Sequence, residues 1–415
     1  MSTPARPPLK PLDDALAELL TFATALSGVE TVSPFDADGR VLAQDIVSSL
    51  QVPPNDNSSM DGYAVRCADL LASPSNAADG ALPVSQRIPA GSVGAPLAPM
   101  SVARIFTGAP LPPGADAVVM QEDCVLQADG GVLVSTRPEP GQWIRRAGED
   151  VKQGAVVLSK GELLTPAAIG LAASIGINQL AVTRRPRVAL FSTGDELVMP
   201  GDVAPEQMKP GAIYNSNRFF LRALLVRLGC EVTDLGIVPD RLDATVNALQ
   251  AAAQQHDLIL TSGGVSVGEE DHIKPAVQTL GSLDLWQIAI KPGKPFAYGR
   301  VQGAHFIGLP GNPVSSFVTF LLLVRPFLRK LQGVTHVAPK SIASQAHFDW
   351  PRADKRREFL RARRNAAGGL DLFPNQSSGV LTSAVWGDGL VDNPAGQTIR
   401  HGDVVQFIPF NEVLG

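Results

Sequence analysis

Across residues 187–331 the sequence alternates short apolar runs with amphipathic segments, and each apolar run ends in a polar, turn-rich stretch. Residues 188–191, 231–238, 258–260 and 305–309 read as strands, whereas residues 215–228, 242–254, 273–280 and 313–331 read as helices. This rhythm predicts a doubly wound parallel sheet. Ligands bind such a sheet outside the carboxyl ends of its strands. Ser192-Thr193-Gly194-Asp195-Glu196, Pro239-Asp240 and the stretch from Thr261 to Asp271 therefore belong to one rim and form one candidate pocket.

The rest of the chain follows other patterns. Apolar residues recur at helical spacing across residues 12–26, from Leu12 and Leu16 through Leu19 and Leu20 to Leu26, with Gly28 just beyond. Helical character returns at Thr165-Pro166-Ala167, with Pro suited to a first turn. Between them, residues 51–144 carry short apolar runs broken by Pro-Pro-Gly, Asp-Gly-Gly and Pro-Gly, the punctuation of strands. The expected organisation is an elongated N-terminal helical domain (1–50 and 145–184), a β-rich domain inserted into it (51–144), the α/β domain (185–331) and a C-terminal β domain (332–415). In the last, Gly368-Gly369 separates two strand-like runs and signals a hairpin.

Composition limits the function. Of 415 residues, 45% are apolar and 18% charged, which excludes a disordered chain. With 35 basic and 40 acidic residues the net charge is −5, so no overall basic field exists for nucleic acid, and bound anions must be held by local groups. Cys67, Cys124 and Cys230 are too isolated for a disulfide framework or a zinc site. No apolar segment is long enough to span a bilayer, so a cytoplasmic location with no membrane partner is expected.

Three features carry chemistry. Ser262-Gly263-Gly264 and the residues after it, including Ser266, combine backbone freedom with a following helix start, which suits a phosphate, although the spacing is neither that of a Walker loop nor GxGxxG. Taken alone it is a tight turn. Glu196, Asp240 and Asp271 bring three hard carboxylates to one rim, where Mg²⁺ or helix capping would each use them. Lys291 and Lys294, in a turn preset by Pro292 and Pro295, can neutralise a compact dianion or a diphosphate. The segment Gly308-Leu309-Pro310-Gly311-Asn312-Pro313 lies on the same edge. Outside the α/β region, polar residues crowd into Asp56-Asn57-Ser58-Ser59-Met60-Asp61-Gly62-Tyr63-Ala64, and residues 352–364 form a basic run.

Together with Thr107-Gly108-Ala109, Gly148-Glu149-Asp150 and Thr193-Gly194-Asp195-Glu196-Leu197, these motifs resemble, in order and over nearly the whole chain, the molybdopterin molybdenumtransferase family, which includes bacterial MoeA and the E domain of gephyrin. The resemblance implies a C-terminal β-barrel and a homodimer whose cleft is shared between the α/β domain of one subunit and the N-terminal part of the other. It implies insertion of molybdate into the dithiolene of adenylyl-molybdopterin with Mg²⁺-dependent release of AMP. By the same resemblance Lys291 and Lys294, with Arg361 and Ser383, would hold molybdate. Ser262, Gly263, Gly264 and Ser266 would cradle the substrate, with Pro310 and Pro313 beside them, and Glu196, Asp240 and Asp271 would place the metal. Asp61, Thr107, Asp150 and Arg145 would come from the second subunit. The implied partners extend to the molybdopterin adenylyltransferase and the molybdoenzymes. Two other readings stay open: adenylyl transfer to molybdopterin itself, and a non-catalytic scaffold.

Overall fold

The computed structural model describes residues 9–72, 80–264 and 272–414. Its centre is a six-stranded sheet in the order Glu231–Val238, Arg187–Thr193, Leu258–Ser262, Ala304–Leu309, Pro295–Val301, Gly281–Gln287. The first four strands are mutually parallel, as the alternation predicts. The last two extend the sheet antiparallel. This extension escapes the alternation because hairpin strands need no crossover helix.

Helices cover both faces. Asn217–Arg227 and the long helix from Pro313 to Leu331 bury their apolar sides against Val188, Leu190, Leu258 and Leu260. Leu242–Ala253 and Ile273–Leu280 pack on Ala189, Phe191, Ile259 and Phe306. The long helix is α-helical over Pro313–Thr319 and Arg325–Leu331, and widens to a π turn over Phe320–Val324. That turn lies directly before Pro326, which has no N–H to continue the ladder and whose ring crowds the carbonyl four residues back.

The first helix spans Leu12–Phe22, and its grouping differs from the expectation. Leu12, Ala15 and Leu19 share the core of the α/β sheet, on the face of Phe320 and Phe327, and not the core of the N-terminal module. Three apolar residues on one helical stripe require a face to cover them, and this sheet supplies it. The N-terminal module is built from the helix Pro166–Ser174, capped by Thr165 Oγ1 accepting from the Ala168 N–H at 3.2 Å, and from paired short strands including Val29–Val32 with Leu180–Thr183. Residues of the β-rich segment form a separate six-stranded sheet with its own core. The C-terminal sheet curls on itself, with Ala346 bridging to Leu370, and contains the expected hairpin of Arg357–Arg364 with Leu370–Leu372.

Asp257 fastens the N-terminal module to the start of the central sheet. It accepts from Arg184 at 2.6 and 2.7 Å and from the Arg187 N–H at 2.8 Å. Burial by itself would raise the Asp257 carboxyl, but these contacts outweigh it and hold the group below the usual carboxylate range. The stabilisation is therefore complete above the unfolded-state value near 3.9 and disappears as pH falls through the lower folded value. Asp257→Asn is expected to cost about 2 kcal/mol at neutral pH. Denaturant titrations at pH 7 and pH 3 check this, with the gap between wild type and variant closing at the lower pH.

Candidate active site

Three neighbouring parallel strands end level with one another: Ser192 lies opposite Ser262, and Ser262 opposite Leu309. Their following loops consequently face a common space of about 760 Å³. Glu196, Asp240, Ser262, Gly263, Gly264, Pro310 and Pro313 all line it. The structure thus brings the rim motifs together, and adds Gly379 from the C-terminal module to the wall. Asp271 and Ser266 lie outside the described residues.

The backbone of this rim requires glycine. Gly263 and Gly264 have φ values of 94° and 65°. A Cβ on Gly264 would meet Ile273 Cγ1 at 2.6 Å and Thr193 Oγ1 at 2.9 Å. The two strand ends can approach only because no side chain stands between them. Glu196 folds over Gly194, and its carboxylate makes no hydrogen bond or ion pair among the described residues. It and Asp240 are hard oxygen donors on one wall, a set that suits Mg²⁺, an ion that retains waters and takes one or two carboxylates together with substrate phosphates. Among the described residues no group of three or more His, Cys, Asp or Glu could hold a metal.

The two lysines have different surroundings. Pro295 borders the cavity, so the turn of residues 291–295 lies beside it. Lys291 Nζ is held by Glu358 Oε1 at 3.0 Å and lies 3.5 Å from Asp354 Oδ2. The Lys294 ammonium has no hydrogen bond or ion pair among the described residues. Arg361 and Ser383 do not line the cavity and are fully buried. The Arg361 guanidinium donates to Phe359 O at 2.9 Å, Ser383 Oγ at 3.1 Å and Ser377 O at 3.4 Å. Ser377 leads to Gly379 in the cavity wall, and Ser378 O receives the Val314 N–H at 2.9 Å, joining this loop to the long helix. Burial pushes Arg361 down to about 10. Its partners are all neutral.

Asp61, Thr107, Asp150 and Arg145 are absent from this cavity's lining. In the β-rich region the Thr107 N–H and Oγ1 both donate to Asp61 Oδ1 at 2.8 Å, and these two bonds hold the Asp61 carboxyl below its ordinary range. Asp150 and Arg145 are exposed. Part of the polar motif is structural: Asp56 accepts from the Ala147 N–H at 2.8 Å and from Arg146 at 2.6 Å, and Ser58 Oγ donates to Met60 O at 2.6 Å. Sequence reasoning missed Tyr214, Asn215, Asn217, Ser315 and Gly379 in the wall. The polar run Tyr214-Asn215-Ser216-Asn217 directly before a helix was an available signal; Gly379 had none, because only the curled C-terminal sheet brings it there.

Models of known families match consecutive parts of the chain. They are the MoeA N-terminal region (domain I and II) at residues 10–176, a domain described as "Probable molybdopterin binding domain" at 189–330, and the MoeA C-terminal region (domain IV) at 343–410. A Haemophilus influenzae protein named molybdopterin molybdenumtransferase is 41% identical, the match covering 97% of this chain and 99% of that one. The chain belongs to the MoeA family. Molybdopterin molybdenumtransferase 2 of Mycobacterium tuberculosis is 38% identical over 88% of this chain and 90% of its own. Among solved structures, the MoeA protein of Pyrococcus horikoshii OT3 superposes on this MoeA-family chain with a TM-score of 0.83 at 29% identity, covering 97% of this chain and 100% of that one.

Proposed function

We propose that this MoeA-family chain inserts molybdate into the dithiolene of adenylyl-molybdopterin and releases AMP in a Mg²⁺-dependent step. The coarser activity, that of a molybdopterin molybdenumtransferase in molybdenum cofactor biosynthesis, follows from family membership and from relatives so named. The finer reading is supported by one observation. A single cavity joins Gly263-Gly264, Glu196 and Asp240 to a loop of the C-terminal module that is held by a buried Arg361 with only neutral partners.

In this reading the backbone of Gly263 and Gly264 faces the phosphates of the substrate, Ser266 is a further substrate-binding residue, and Pro310 and Pro313 shape the wall. Glu196, Asp240 and Asp271 would hold Mg²⁺, which would supply charge withdrawal from the phosphoryl oxygens. Lys294 is the uncommitted cation for molybdate, with Lys291, Arg361 and Ser383 behind it. Asp61, Thr107, Asp150 and Arg145 reach the cleft from a second copy of the chain. The protein works in the cytoplasm, receives substrate from a molybdopterin adenylyltransferase and supplies molybdoenzymes.

The test is to incubate the protein with adenylyl-molybdopterin, molybdate and Mg²⁺, measuring AMP release and activation of a cofactor-free molybdoenzyme. Both should depend on molybdate. Efficient formation of adenylylated product from ATP and molybdopterin would instead favour adenylyl transfer. Glu196→Gln should lower kcat about 10²-fold and shift the Mg²⁺ titration to higher concentration, while the circular dichroism spectrum stays that of the wild type.

A further inference from the structure

We propose that Asn217 is a positioning residue that locks the two substrate-facing loops, residues 262–264 and 309–312, at one separation. The inference rests on the substrate reading above and adds a residue to it.

Asn217 opens the helix Asn217–Arg227, is 8% exposed and lines the cavity. Its Nδ2 donates to Ser262 Oγ at 2.8 Å and to Gly311 O at 2.7 Å, which uses both amide hydrogens. Ser262 Oγ in turn donates to Pro310 O at 3.2 Å, so this hydroxyl gives its hydrogen to the protein. The two loops are also joined directly, by that Ser262–Pro310 bond and by the Gly263 N–H donating to Leu309 O at 3.0 Å. Asn217 therefore reaches both loops from a third element, tying the base of one at Ser262 to Gly311 in the other.

The tie orients donors. The N–H groups of Gly264, Gly311 and Asn312 have no acceptor among the described residues. The peptide between Gly311 and Asn312 is trans and planar, so holding the Gly311 carbonyl against Asn217 turns the Asn312 N–H to the opposite side. Rotation of that peptide would require breaking the 2.7 Å bond. Donors fixed before the anion arrives do not have to be reorganised when it binds. Aspartate would serve the first turn of a helix as well as asparagine does. It cannot donate to two oxygens, and the position calls for an amide.

The experiment compares wild type with Asn217→Asp, Asn217→Ala and Asn217→Ser, the last retaining one donor. Steady-state kinetics with adenylyl-molybdopterin is combined with hydrogen–deuterium exchange of the full-length protein. For Asn217→Asp, KM should rise by about tenfold or more, kcat should fall by a smaller factor, and Asn217→Ser should lie between it and wild type. Exchange should accelerate in peptides covering 258–264 and 305–312 and stay unchanged in the neighbouring strand Arg187–Thr193. Unchanged KM with wild-type exchange overturns the proposal, as does acceleration spread evenly over the whole sheet, which marks general destabilisation. Should the wild type release no AMP, the substrate reading fails by itself, and the exchange pattern alone then decides the role of Asn217: localised acceleration upholds the lock and its absence refutes it.

Discussion

Arg361→Met should destabilise the protein by about 4 kcal/mol and abolish any stabilisation by molybdate. The guanidinium is completely buried, and its acceptors are two backbone carbonyls and the Ser383 hydroxyl. Methionine has similar length and fills most of the space, but it leaves Phe359 O, Ser377 O and Ser383 Oγ without that donor. A buried group stripped of its partner costs about 1–3 kcal/mol, and here two are affected at once, Phe359 O and Ser383 Oγ, whereas Ser377 O belongs to an exposed residue and turns to water. The loop of residues 376–381 should loosen as well, because Ser377 O loses an anchor, although Gln376 still exchanges hydrogen bonds with the backbone of Arg361. A cation surrounded by neutral acceptors retains an unbalanced field, which an oxyanion in the adjoining cavity would offset. Molybdate at about a hundred times its dissociation constant should therefore stabilise the wild type by about 2.7 kcal/mol and leave Arg361→Met unmoved. Denaturant unfolding with and without molybdate measures both quantities; equal stabilisation of the two proteins would exclude Arg361 from oxyanion binding.

The two halves of this site were unequally visible in the sequence. Glu196, Asp240 and Gly263-Gly264 could be assigned to one rim because strand ends in a parallel sheet converge by topology, whatever the details of packing. The level endings of Ser192, Ser262 and Leu309 are the outcome of that rule. Arg361 was a different matter. In a basic run its expected place is a solvated hairpin face, and Arg352, Arg363 and Arg364 are exposed. The alternation along Arg357–Arg364 is overridden by the curl of the sheet, which buries Phe359, Leu360, Arg361 and Ala362 in succession. A strand buried on both faces has lost the period of two that would have identified its inward residues. Only the resemblance to a family singled out Arg361. The first helix illustrates the same limit: its stripe of Leu12, Ala15 and Leu19 announced a buried face, but not which domain would cover it.

Lys291 and Lys294, three residues apart in one turn, should respond to substitution in opposite ways. Lys291→Met is expected to cost about 3 kcal/mol of stability, since it leaves the Glu358 carboxylate, 1% exposed, without its cation. Two weaker donors remain to that carboxylate: Trp350 Nε1 at 2.7 Å and Asn393 Nδ2 at 3.4 Å. Neither carries charge, so neither replaces the ammonium. Lys294→Met removes a group with no ion pair among the described residues and should change stability by no more than about 0.5 kcal/mol. Its effect should fall on function, raising the molybdate concentration for half-maximal cofactor formation by about tenfold or more, because an uncommitted ammonium can give its full charge to an incoming dianion. The double variant Lys291→Met/Glu358→Gln separates stability from chemistry at the first lysine: neutralising the acid should restore most of the lost stability, as an unpaired buried carboxylate is no longer present. If Lys294→Met proved the less stable of the two single variants, or if Glu358→Gln failed to rescue Lys291→Met, the assignment of Lys291 to structure and Lys294 to the oxyanion would have to be reversed.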